Sequence, residues 1–133
     1  MKKLITVVLM LVTFDVAALT KIEVFFADIS PVPEVKEGVD IIYYDLNGLK
    51  SLEASLSSRL PNTLEQSTFF LNQYFNSQAG KLWVKNAQLH SKAVAKAVSY
   101  QLKGVPAIVF DSSKVVYGTT NIGQALMEYQ THE

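Results

Sequence analysis

Apolar and polar positions along this chain change period three times. From Lys21 to Ala27, "KIEVFFA", Ile22, Val24 and Phe26 alternate with Glu23 and Phe25, the two-residue period of a strand in residue types that favour one. A loop holding Pro31, Pro33 and Gly38 follows, and "VDIIYYDL", Val39 to Leu46, is a second strand candidate closed by Asn47-Gly48. Asn-Gly can turn a hairpin, but the next segment is helical in pattern: Leu49, Leu52, Leu56 and Leu60 recur at helical spacing until Pro61. Asn62 or Thr63 can cap a second helix to about Phe75, with Glu65 or Gln66 three residues on. Asn76 and Ser77 interrupt it, and the longest helix is expected from Gln78 to about Leu102, ended by Gly104. Its broad apolar face holds Ala79, Leu82, Trp83, Ala87, Ala93, Val94, Ala97 and Val98, with Lys81, Lys85, Lys92, Lys96 and Lys103 in a stripe opposite. The period then returns to two: "PAIVF", Pro106 to Phe110, and "KVVYG" flank Asp111-Ser112-Ser113 as a β-hairpin. Asn121 caps a last helix, Ile122 to about Gln130, with Ile122, Ala125, Leu126 and Tyr129 inward. The expected order is β-β-α-α-α-β-β-α, an α/β chain.

The first 18 residues read as a secretory signal peptide. Lys2 and Lys3 precede the apolar run Leu4 to Phe14, and Val16-Ala17-Ala18 gives small residues for cleavage after Ala18. The run is short of the ~20 residues that span a bilayer, so an uncleaved anchor is the lesser alternative. Residues 19–133 are then one exported, periplasmic domain. The chain has no cysteine, so it stands on packing and cannot exchange disulfides, a chemistry whose nucleophile is a thiolate. Basic and acidic residues balance at 12 each, which implies no strong attraction to nucleic acid. The halves differ: residues 19–60 carry seven acids and four bases, residues 61–133 four and six.

Two segments carry a resemblance. "FFADISPVP", Phe25 to Pro33, follows the strand and approach to a thioredoxin redox motif, with Ser30 and Pro33 where the two cysteines would stand. "KGVPAIVFDSSKVVYGTTNIGQAL" resembles the C-terminal half of a thioredoxin-like domain, in which the proline of the Val105-Pro106 position is cis. With "YDLNGLKSLEASLSSRLP" and the long Ala- and Lys-bearing helix, nearly all of residues 20–130 resembles small exported thioredoxin-like proteins of integrating conjugative elements. The resemblance implies a thioredoxin-like fold and a place in a mating-pair or type IV secretion apparatus. Here about a dozen residues with two prolines separate Ala27 from Val39. The first crossover is therefore minimal, and the helices come as an insertion before the Val-Pro strand.

Ser30 as a nucleophile would need a base within reach, and Asp28 is close but no histidine is. The plainer reading is that Ser30 caps a turn or short helix with Pro31 at its first position. His90 lies on the apolar face of the long helix and is expected to be buried and hydrogen-bonded, with no second ligand at helical spacing. His132 stands next to the last residue. The lysine stripe is expected to be a solvated face, though it could meet the acid-rich Glu34–Asp45 region of a neighbouring copy, which would be a self-association. Around Val105-Pro106 the resemblance implies backbone that binds an extended peptide as an added strand. The alternative is that Pro106 only begins an edge strand. The binding residues expected are Val105, Pro106, Asp28, Ile29, Ser30, Pro31 and Pro33, the last five as the opposite lip. No catalytic set, metal site or cofactor is expected. The implied partners are other envelope proteins of the transfer apparatus, with no direct nucleic acid, and with membrane contact only through the N-terminal segment if it stays uncut. A general periplasmic peptide-binding, chaperone-like protein is the alternative.

Overall fold

A computed structural model describes residues 18–131, so all of the expected signal except Ala18, and His132 with it, lie outside the described residues. Two strands come first, β1 (Lys21–Phe26) and β2 (Asp40–Asp45). Three helices follow, α1 (Gly48–Ser57), α2 (Leu64–Asn76) and α3 (Gln78–Ser99). Then come β3 (Ala107–Phe110), β4 (Lys114–Tyr117) and α4 (Ile122–Thr131). The protein is a mixed α/β fold with one four-stranded mixed sheet in the order β2-β1-β3-β4. β1 runs parallel to β2, with Lys21 opposite Asp40, and antiparallel to β3, with Ile22 opposite Phe110. β3 and β4 form the hairpin.

The sheet is covered on both faces. On one, Ile22, Val24, Ile108, Phe110 and Val116 pack with Ile122 and Ala125 of α4. On the other, Phe25, Ala107 and Val109 pack with Ala97 of α3. β1 is interior and has no solvent face, so the polar half of its alternation is buried too. Glu23 is fully buried. Its Oε1 accepts from the Tyr100 hydroxyl and pairs with Lys21 Nζ at 3.2 Å, while Lys96 Nζ approaches Oε2 to 3.9 Å. Oε2 has no hydrogen bond among the described residues. Burial, and next the Glu23 charge, push the Tyr44 hydroxyl up to about 12.

Helix ends follow the local chemistry. The Thr63 hydroxyl accepts from Gln66 N at 3.3 Å, and Ser77 Oγ accepts from Gly80 N at 3.2 Å. α3 stops five residues before Gly104, at a non-glycine residue. Gln101 takes φ +53°, Leu102 N donates to Ala97 O and Gln101 N to Val98 O, closing a Schellman turn that folds Leu102 onto the core. The α3 face also differs from its apolar arc. Gly80, Ala93 and Ala97 are buried, whereas Leu82, Val94 and Val98 stand 58%, 41% and 69% exposed. Small residues let the helix sit close to its neighbours, and they decide which way it turns. Lys96 leaves the solvated stripe for Glu23 and the Tyr100 ring.

The hairpin turn holds Asp111 and Ser112 in the left-handed region, at φ +45° and +59°. Asp111 Oδ1 accepts from Thr20 N, Thr20 Oγ1 and Lys21 N at 3.0, 3.0 and 2.8 Å. The backbone bond from Lys21, then that from Thr20, hold its carboxyl below the usual carboxylate range. A carboxyl lowered on folding stabilises the fold above its unfolded pKa of about 3.9, and that contribution is lost as pH falls through the lower folded value. Asp111→Asn therefore flattens the acid limb of the stability curve below about pH 4 and leaves its shape near neutrality unchanged. Urea midpoints of both proteins between pH 3 and 7 test this; parallel curves overturn it.

Candidate peptide-binding groove

The groove forms where three segments meet at one end of the sheet. Phe26 to Ile29 leave β1, Val105-Pro106 enter β3, and Gly118 to Thr120 leave β4. Together they enclose a cavity of about 350 Å³. The Val105–Pro106 bond is cis, and Pro106 leads into β3, which is an interior strand, so Pro106 does not begin an edge strand.

Each wall is held from behind. Asn47 Nδ2 donates to Ala27 O at 3.2 Å and to Asp28 Oδ1 at 3.1 Å, and Asn47 N donates to Asp45 Oδ1 at 2.9 Å. The Asn-Gly pair thus makes the N-terminus of α1 rather than a hairpin, and it ties that terminus to the loop after β1. At the opposite wall Gly118 takes φ +90°, a conformation that favours glycine, and its N–H donates to Pro106 O at 2.9 Å. Thr119 is buried, accepts from Asn121 N and donates to Gln124 Oε1, while Asn121 Oδ1 caps α4 through Gln124 N at 2.9 Å. The floor is apolar, from Phe26, Val105 and Pro106; Asp28 is the one charged residue of the lining. Such a site suits a short extended segment with a small apolar side chain, and a donor toward Asp28.

Of the residues expected to bind, Val105, Pro106, Asp28 and Ile29 line this cavity, and Ser30, Pro31 and Pro33 do not. No helix forms between β1 and β2. Ser30 is exposed, caps no helix and makes no side-chain hydrogen bond among the described residues. Asn47, Gly118, Thr119 and Thr120 were missed, and their signals were a turn dipeptide after a strand and "GTTN" ahead of a helix cap. His90 is half-buried against Gly48 at the start of α1 and makes no hydrogen bond among the described residues. Among those residues no cluster of three or more His, Asp or Glu could hold a metal ion, and no helix is long and apolar enough to cross a membrane.

Residues 19–133 match a family described as a protein of unknown function, DUF1525. The chain belongs to the DUF1525 family. No curated protein and no solved structure matches it. The groove of this DUF1525 chain draws all its lining from inside the matched residues.

Proposed function

We propose that this DUF1525 protein is a redox-inactive, thioredoxin-like binding accessory of a conjugative, type IV secretion DNA-transfer apparatus, exported to the periplasm. It needs neither cofactor nor catalysis, and it assists assembly by holding an extended segment of another envelope protein. The observation that carries the reading is the groove: a preformed backbone cleft on the Val105-Pro106 side, with no cysteine in the chain to do redox work there. The strand order β2-β1-β3-β4, with β1 and β2 parallel and β3 antiparallel to β1, supports a thioredoxin-like frame. The frame departs from thioredoxin in replacing the helix between the first two strands by a loop. The transfer apparatus comes from the likeness of "GVPAIVFDSSKVVYGTTNIGQAL" to the conjugative-element proteins.

Val105 is 36% exposed at the groove, so Val105→Asp puts a charge beside Asp28 without entering the core. It is expected to weaken partner binding by roughly tenfold or more at an unchanged thermal midpoint. The test is transfer frequency from donor cells lacking the gene, restored with wild type or Val105→Asp. Transfer lost on deletion and restored by wild type alone supports the reading. Unchanged transfer on deletion removes the apparatus role and leaves the general periplasmic peptide binder.

A further inference from the structure

Two surfaces outside the groove complement each other, and one chain cannot join them. The first is the strap between β1 and β2. Its Val32 and Val35 side chains are 83% and 97% exposed, and Glu34, Glu37 and Asp40 outnumber Lys36 beside them. The second is the outer face of α3. That helix contains four lysines and no acid. Lys96 is drawn to Glu23, which leaves Lys81, Lys85 and Lys92 exposed. Round the helix from this stripe, with Lys92 at the border, Val84, Ala87, Ser91, Val94 and Val98 recur at intervals of three and four, the seam spacing of a helix that packs against something. Val84, Val94 and Val98 on this seam are 40%, 41% and 69% exposed. Between Trp83 and Lys92 the face dips into a shallow trough lined by Trp83, Val84, Ala87 and Ser91 with Gln88 and Lys92 at its side.

The strap lies on the α4 face of the sheet: Glu34 N donates to the hydroxyl of Tyr43, which packs against the core cluster on that face. α3 covers the other face. The sheet separates the two surfaces, so the strap of one copy can reach only the α3 of another. Two α3 faces pressed together would oppose lysine to lysine, which disfavours a symmetric pairing through this helix.

We propose that the protein associates with itself head to tail, the acidic strap of one copy docking Val32 and Val35 on the valine face of α3 in the next, with its acids toward Lys92 and the lysine stripe beyond. The contact is heterologous. Each end of such an assembly keeps one unused strap or α3 face, so it grows as an open chain or closes as a ring. None of the strap residues it uses lines the groove.

The test is sedimentation of the protein as cells process it, for wild type and two charge-reversed variants, Glu34→Lys/Glu37→Lys and Lys85→Glu/Lys92→Glu. All four positions are exposed, and circular dichroism checks folding. Wild type is expected to exceed the monomer mass increasingly with concentration at about 50 mM salt, and to return to monomer at about 500 mM. Each variant alone associates at least about tenfold more weakly, and an equal mixture of the two re-associates because each supplies the surface the other lost. A wild type that stays monomeric at about 0.5 mM protein in low salt overturns the proposal. So do variants that assemble like wild type, and so does a mixture that stays monomeric.

Discussion

Gly80→Ala is expected to destabilise the protein by about 3 kcal/mol, a fall of roughly 10 °C in thermal midpoint. The direction is opposite to the usual one. In the interior of an unobstructed helix, alanine for glycine gains about 0.5–1 kcal/mol. Here only Ser77 separates α2 from α3, and the chain turns so sharply that Gly80 sits against the end of α2. A methyl group on Gly80 would lie 1.9 Å from the carbonyl oxygen of Tyr74 and 2.6 Å from Cα of Phe75. Both are backbone atoms, and the carbonyl already accepts from Ser77 N, so no rotamer change can relieve the clash. α2 must swing away from α3. None of its residues is buried, and it packs mainly on α3 through the Tyr74, Phe75 and Trp83 rings, with Arg59 set over Phe70 and Tyr74. Hydrogen exchange should show protection lost first over residues 64–76, with β1 and β3 still protected. A midpoint unchanged or raised in Gly80→Ala sinks the argument. Trimming Tyr74 or Phe75 to alanine in the same chain should give no rescue.

Gly48→Ala is expected to cost about 2–3 kcal/mol, and here a second substitution should repair it. A methyl group on Gly48 would stand 2.0 Å from Nδ1 and 2.5 Å from Cγ of His90. The obstacle is a side chain, so Gly48→Ala combined with His90→Ala removes it. The double variant should recover most of the loss, a coupling well outside additivity. Asn47, immediately before α1, holds Ala27 and Asp28 at the groove. The single variant should therefore weaken partner binding as well as stability, and the double should restore both. Equal stability losses in the single and double variants would show that His90 is not what Gly48 avoids. Chemical denaturation of the four proteins of the cycle measures it.

The strands and helices were legible because their periods and punctuation agree locally. Thr63, Ser77 and Asn121 cap where hydroxyl and amide side chains precede apolar periodicity. Two things were not legible. Glu23 reads as the polar half of an alternating strand, and only the placing of β1 between β2 and β3, with helices over both faces, turns that half inward. The inward arc of α3 was not legible either. Apolar residues cover more than half of its circumference, and the choice among them falls to Gly80, Ala93 and Ala97, whose size permits contact that Leu82, Val94 and Val98 would obstruct. At the groove, Val105-Pro106 and Asp28-Ile29 stood out as turn chemistry beside apolar strands. Ser30, Pro31 and Pro33 did not join them, because the short crossover carries the chain away from the cavity instead of starting a helix over it.

The clasp of Asp111 on Thr20 and Lys21 has a mechanical consequence. The segment before Thr20 runs straight into β1, a central strand bonded on both edges. Tension on that segment would act along the strand, across the hydrogen bonds that join it to β2 and β3, and would load both ladders together instead of peeling them one at a time. The three bonds to Asp111 would take the pull first, at the end where it enters. A domain threaded this way can be held by its leading end under strain without its sheet unzipping from the edge.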